Sequence, residues 1–489
     1  MENYFKKFRN NIIGINHTFN SPFGEKKLIY ADWTASGRLY RPIEELISNK
    51  LGPFLGNTHS ETTVTGTTMT EAYHYAKSII KRHVNSDKND VIICAGSGMT
   101  GVINKFQRIL GLKLHESFKS YVKINNYDKP VIFISSMEHH SNQTSWLETI
   151  ADVEIIGIDK EGLTDLNHFE DLIKKYKDRK LKIAAITSCS NVTGIFTPYE
   201  EIAKIIHSYG GFCFVDFAAS APYIDINMHP EESGAYLDAV FFSPHKFLGG
   251  PGSSGVLIFN SKLYKNNVPD NPGGGTVDWT NPWGEHKFVD DIEAREDGGT
   301  PPFLQTIKAA LAIKLKEQMG TDNIQKRENE ILQFVWSILP YIPNIKILAD
   351  NIKDRLPIFS FYFENIHYNF LVRLLNDVYG IQSRGGCSCA GTYGHILLNV
   401  DFSKSKMITD KINLGDISIK PGWVRISFHP TNTNEEIEFV INSISELAKA
   451  HSKYDRYYKR KPNTNDYDYI GQNKSNYIEI EEIFNSFQE

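Results

Sequence analysis

The sequence predicts an α/β protein: a mostly parallel seven-stranded sheet in a large domain, followed by a smaller α+β domain. Three observations carry this. Seven short β-rich runs lie between residues 91 and 259, several separated by amphipathic helical patterns. Polar and glycine residues follow nearly every run on what would be one edge of the sheet. After Thr300 the alternation gives way to long helical patterns with isolated strands.

The runs are Val91–Ile93, Val131–Ser135, Val153–Ile158, Ile183–Thr187, Phe212–Val215, Ala239–Phe242 and Val256–Phe259, each bounded by polar or glycine residues. Strand–helix–strand alternation of this kind gives a parallel sheet covered on both faces. Thr197-Pro198-Tyr199-Glu200 reads as a capping box with proline at the first helical position, opening a helix that stops at Gly210-Gly211. Further on, Phe303–Met319 has helical spacing, Ile358–Phe363 and Trp423–Phe428 read as strands, and Tyr368–Tyr379 reads as a helix between them. The expected layout is an N-terminal arm at 1–30, a large domain at 31–300, a small domain at 301–455 and a polar tail at 456–489. A short amphipathic piece is expected near Ile478–Phe487.

Composition narrows the function classes. The 489 residues carry 53 Lys plus Arg against 58 Asp plus Glu, a net charge of −5, which argues against a basic nucleic-acid binder or a polybasic membrane protein. Five cysteines are too few for a disulfide scaffold and suit a reducing compartment. Met1–Asn10 has no apolar stretch after its lysines, so no signal peptide is expected. Uninterrupted apolar runs fall far short of the ~20 residues of a spanning helix. A soluble cytoplasmic protein is the expectation.

Ligands of parallel α/β sheets bind beyond the carboxyl ends of the strands. The residues there are Gly96-Ser97-Gly98-Met99-Thr100-Gly101, Glu138-His139-His140, Ser190-Asn191, Asp216 and Ser243-Pro244-His245-Lys246. The glycine turn alone is open to a dinucleotide, another phosphate or no ligand, since backbone N–H groups at a helix start favour any anion. Lys246 narrows the choice. A Schiff-base lysine needs a phosphate pocket, an acid for a pyridinium nitrogen and a flat group over the ring. Met99–Gly101, Asp216 and His139 supply these, so the set fits pyridoxal phosphate better than a nicotinamide cofactor.

Glu138-His139-His140-Ser141-Asn142, Ser190-Asn191-Val192-Thr193-Gly194, Val215-Asp216-Phe217-Ala218, Ser243-Pro244-His245-Lys246 and Arg384-Gly385-Gly386-Cys387-Ser388-Cys389-Ala390 occur in the order found in class V aminotransferases. From about Tyr30 to Arg425 the chain resembles their cysteine desulfurase branch, of the type with a short, structured cysteine loop. The resemblance implies a fold-type I pyridoxal phosphate enzyme, a homodimer with active sites at the subunit interface. It implies that Lys246 is the Schiff-base lysine, Asp216 the partner of the pyridine nitrogen, and His139 the residue stacked on the ring. Met99, Thr100, Ser243 and His245 would cradle the phosphate, with Thr300 reaching the neighbouring subunit's phosphate. Asn191 would touch substrate or cofactor, and Arg425 would grip the substrate carboxylate as a bidentate guanidinium. The family register, five residues from Arg384, selects Cys389 over Cys387 as the sulfur acceptor. The chain departs from the family at Ala219, where a glutamine usually faces the ring hydroxyl.

The implied reaction converts L-cysteine to L-alanine and leaves sulfur on Cys389 as a persulfide, for a possible sulfur-acceptor protein. The competing readings are β-elimination or transamination on the same scaffold, a dinucleotide-binding oxidoreductase, and a silent scaffold protein. No second Cys/His pair at ligand spacing accompanies Cys387 and Cys389, so no metal is expected. Residues 384–394 hold four glycines without apolar periodicity and read as an accessible, mobile loop.

Overall fold

A computed structural model describes residues 1–58, 61–472 and 480–488. The chain forms two compact units, one of Ser36–Ser190 with Ile195–Gln325, the other of Met1–Ala35 with Asn191–Gly194 and Lys326–Glu489.

The larger unit is built on a seven-stranded sheet: β1 (Asp90–Ala95), β2 (Val131–Ser135), β3 (Asp152–Ile156), β4 (Lys182–Thr187), β5 (Phe212–Asp216), β6 (Ala239–Phe242) and β7 (Gly255–Asn260). Their spatial order is β1-β7-β6-β5-β4-β2-β3. Only β7 runs against its neighbours, β1 and β6. All seven runs singled out in the sequence are strands of this sheet. They read as nearly continuous apolar segments because both faces are covered. Along them, Ile92, Val131, Phe133, Ala184 and Ile186 enter one core cluster, and Ile93, Ile132, Ile134, Ile183 and Ala185 enter the other. Each fully buried isoleucine here contributes about 1.5–3 kcal/mol of transfer free energy.

Helix Phe303–Met319 belongs to this unit, beyond the boundary that the sequence suggests at residue 300. Its Ile307, Ala309, Ala310 and Ile313 join the same core as Ala76, Ile79 and Ile80 of helix Val64–His83. The expected capping box does not form. Helix Tyr199–Ser208 starts one residue later than expected, with Pro198, which has no side-chain acceptor, at its N-cap, while the Thr197 N–H donates to the Ser188 carbonyl.

The smaller unit carries an antiparallel sheet of β8 (Ile345–Ile347), β9 (Ile358–Phe363), β10 (Arg384–Gly386) and β11 (Trp423–Ser427), in the order β8-β9-β11-β10. Helix Tyr368–Tyr379 buries Phe370, Leu371, Leu374 and Leu375 against Phe359, Phe361, Val424 and Ile426. It stops at Gly380, whose φ of +76° and approach to Lys27 O leave no room for a Cβ. Ile381–Gln382 then pairs in parallel with Ile29–Tyr30, and Asp32 bridges to Ser427, so the N-terminal segment is held beside β11.

Two segments are more ordered than their composition suggests. Only 387–390 of the cysteine segment is a turn, since Arg384–Gly386 is an edge strand and Gly391–Leu397 a helix. In the tail, Tyr458–Arg460 pairs with Tyr467–Tyr469, and the buried Tyr458 donates to Asp377 at 2.7 Å. The amphipathic piece expected near Ile478–Phe487 begins outside the described residues, and Ile480–Asn485 is helical. No helix among the described residues is long and apolar enough to cross a membrane.

Candidate functional site

In the larger unit the candidate residues gather at the carboxyl ends of the parallel strands. The turn after β1 opens helix Met99–Ile109 with Gly98 as N-cap. The Met99 N–H donates to Ser243 Oγ at 2.8 Å, which binds this turn to the segment after β6. A Cβ on Gly98 would lie 3.0 Å from Ser243 Oγ and 3.4 Å from His245 Nε2, so glycine leaves a cradle between them. Thr100 Oγ1 meets Ser141 Oγ at 2.7 Å, and Ser141 Oγ lies 3.1 Å from His139 Nδ1. That nitrogen accepts the Ser141 N–H and caps helix His140–Leu147, which fixes the imidazole at the strand edge.

Asp216 ends β5 and is buried. Burial pushes its pKa up to about 6, against the downward pull of the Ala218 N–H bond and the Lys246 charge. His245 is pushed down to about 4, by burial first and Lys246 second, so its imidazole is neutral at pH 7. Lys246 closes the short 3₁₀ turn after Ser243. Thr300 is exposed on a loop whose Gly299 N–H bonds to Gly274 O, and no hydrogen bond among the described residues joins it to the cradle. Ser220, next to the departing Ala219, is fully buried, with its hydroxyl 2.5 Å from that of Ser188.

Glu138 has a task that the sequence did not reveal. Its buried carboxyl group accepts from Ser135 Oγ, Asn142 Nδ2 and the Thr187 N–H, at 2.6–2.7 Å, and so brackets the ends of β2 and β4. Burial raises its pKa to about 8 despite these bonds.

In the smaller unit the residues centre on Arg425, in β11. Its Nη2 lies 2.7 Å from Asp32 Oδ1 and its Nη1 donates to Asn191 O at 2.9 Å. Its Nε is buried without a hydrogen-bond partner, as is Asn191 Oδ1. Such groups cost about 1–3 kcal/mol each when left unpaired. Asn191 Nδ2 donates to Ser388 O at 2.7 Å, and Trp423 Nε1 donates to Ser388 Oγ at 3.2 Å. This pins the turn on which Cys389 is exposed and Cys387 half-buried. Arg384 shares Asp32 with Arg425, at 3.0 Å. The sequence signal for Asp32 was a carboxylate directly after the apolar run Ile29–Ala31, the same kind of position that flagged Asp216.

Comparison with known proteins gives this arrangement its context. A probable cysteine desulfurase of Halalkalibacterium halodurans is 29% identical over 367 residues, covering 74% of this chain and 84% of the relative. One from Staphylococcus aureus is 27% identical over 428 residues, covering 87% and 93%. Among solved structures, an apo cysteine desulfurase from Thermococcus onnurineus shares the fold with a TM-score of 0.70 at 23% identity, over 91% of this chain and 98% of that one. An Escherichia coli cysteine desulfurase in an S-sulfonic acid form does so with 0.68 at 21%, over the same shares. The family model for class-V aminotransferases matches residues 29–440, most of the chain. On that match the chain belongs to the class-V aminotransferase family.

Proposed function

We propose that the chain is a pyridoxal 5'-phosphate-dependent cysteine desulfurase of the cytoplasm, active as a homodimer. L-Cysteine and the Cys389 thiol become L-alanine and a Cys389 persulfide. The carrying observation is a single hydrogen-bond chain: Arg425 Nη1 to Asn191 O, and Asn191 Nδ2 to Ser388 O. It ties a guanidinium with a spare buried donor to a turn bearing an exposed thiol. The similarity to proteins named probable cysteine desulfurase supports the same reading.

The residues fit the cofactor. The Gly98 cradle, the Met99–Gly101 helix start, Ser243 and the neutral His245 suit a phosphate, with Thr100 beside them. Asp216 suits a pyridinium N–H, which would stabilise its charged form in a buried place. When bound, pyridoxal phosphate supplies an electron sink for the substrate's α-carbon.

The remaining tasks fall to side chains of this chain. Lys246 holds the cofactor and carries protons to and from the substrate carbons. Arg425 takes the substrate carboxylate through Nε, with Asp32 fixing the guanidinium plane. Asn191 Oδ1 accepts from substrate or cofactor. His139 covers the ring, and because Nδ1 accepts the Ser141 N–H, the proton of its neutral form sits on Nε2, from which it is donated. Cys389 as thiolate attacks the substrate sulfur, and the carbon–sulfur bond breaks as the new S–S bond forms. Thr300 is assigned to the phosphate of the second subunit, and a sulfur-acceptor protein takes the product.

The test is to incubate purified protein with L-cysteine and measure alanine, pyruvate and sulfide in parallel. Alanine is the expected product. Pyruvate in its place would replace this reading with β-elimination, for which Ala219 in the glutamine position would be the first residue to examine.

A further inference from the structure

Five cysteines serve this chain, and three of them, Cys94, Cys189 and Cys213, are buried. The other two flank one residue, Ser388. The Ala390 N–H closes a turn onto Cys387 O at 3.0 Å, and both Ser388 (φ +51°) and Cys389 (φ +54°) are left-handed. Two successive non-glycine residues in that region cost roughly 1–3 kcal/mol each and persist only where their surroundings hold them. Here the holding falls on the residues beside the sulfurs rather than on the sulfurs. Ser388 is clamped through its carbonyl by Asn191 and through its hydroxyl by Trp423, and Ala390 is fully buried. The turn is thus held through its backbone, with Cys389 exposed and Cys387 half-buried on it.

Cys387 also has surroundings of its own. The Tyr368 ring lies against the backbone of Gly385 and Gly422, and its pKa is pushed up to about 12 by burial first and the nearby Cys387 second.

We propose that Cys387 is a second sulfur carrier, receiving the sulfane sulfur from Cys389 and freeing Cys389 for another turnover. This rests on the desulfurase reading. The Cys387 thiolate attacks the outer sulfur of the Cys389 persulfide. The S–S bond to Cys389 breaks, Cys389 leaves as thiolate, and the proton stays on the transferred sulfur. One persulfide and one thiolate exchange places, so no oxidant or reductant is consumed. Holding both sulfurs on one pinned turn gives the step the advantage of an intramolecular reaction.

The experiment is rapid-quench measurement of alanine from the holoenzyme with excess L-cysteine and no added thiol. The wild-type burst should be about twice that of Cys387→Ser per protomer, with Cys387→Ala matching Cys387→Ser, because each thiol stores one sulfur. Alkylation and peptide mass mapping should find added sulfur on both cysteines of the wild type and on Cys389 alone in Cys387→Ser. Equal bursts from wild type and Cys387→Ser would overturn the relay while leaving the desulfurase reading intact. No alanine from wild type, or an undiminished burst from Cys389→Ser, would overturn that reading and the relay with it.

Discussion

Replacing Asp216 by asparagine tests the acid end of the site in the cofactor-stripped protein. Burial raises the Asp216 pKa from 3.8 to about 6, only partly offset by the Ala218 N–H bond and the Lys246 charge. A carboxyl raised in the folded state contributes stability that is fully present below its unfolded pKa and lost as pH rises through about 6. At 1.36 kcal/mol per pKa unit, that interval is worth about 3 kcal/mol. Asparagine keeps an oxygen for the Ala218 N–H but has no charge to bury. Urea unfolding of both stripped proteins from pH 4 to pH 7.5 reads the effect as a difference, in which the other titrating groups cancel. Because the unfolded carboxyl is already half ionised at pH 4, relative stability should swing by about 2.5 kcal/mol of that total towards Asp216→Asn as pH rises to 7.5. A flat difference, or a swing towards the wild type, would refute the argument. The holoenzyme should show the opposite preference, with Asp216→Asn retaining pyridoxal phosphate less tightly, because a pyridinium partner favours the charged carboxylate.

Arg425→Lys keeps a charge but loses the fork and the free Nε, so KM for L-cysteine should rise by about tenfold to a hundredfold through loss of one charge-assisted hydrogen bond, measured in steady-state assays. Gly98→Ala places a methyl 3.0 Å from Ser243 Oγ in extended backbone without φ strain, so equilibrium dialysis should show about tenfold weaker cofactor binding at little cost to folding. Trp423→Phe removes the bond to Ser388 Oγ, and limited proteolysis at 387–390 should quicken in line with a loss of about 1 kcal/mol. Light scattering should show a dimer; a monomer that holds pyridoxal phosphate tightly would count against the role assigned to Thr300.

The large sheet was legible because its strands are buried on both faces, which leaves short β-rich runs that polar turns punctuate. The placement of the candidate site was legible for the same reason. Asp216, Lys246 and His139 stand out because charged or polar groups directly after buried strands have no packing purpose. What escaped depends on partners distant in sequence. Asp32 meets Arg425 across 393 positions, and nothing near either residue announces the pair. Asn191 acts through its backbone carbonyl as much as its side chain, a property that residue identity does not encode. The order of 384–390 comes from pairing with β11 and from Trp423, so its glycine content read as mobility. The order of the tail is hidden in the same way, because Tyr458 and Asn465 are polar residues whose burial follows from Asp377 and Tyr368 receiving them.

The claim on which the rest depends is that Lys246 carries the cofactor. Borohydride reduction of the purified holoenzyme, followed by peptide mass mapping, tests it without relying on turnover. Reduction should leave a phosphopyridoxyl group on Lys246 and abolish the visible absorbance band, with neither effect in a folded Lys246→Ala variant. A phosphopyridoxyl group on another lysine, or a borohydride-sensitive band that survives in Lys246→Ala, would contradict it.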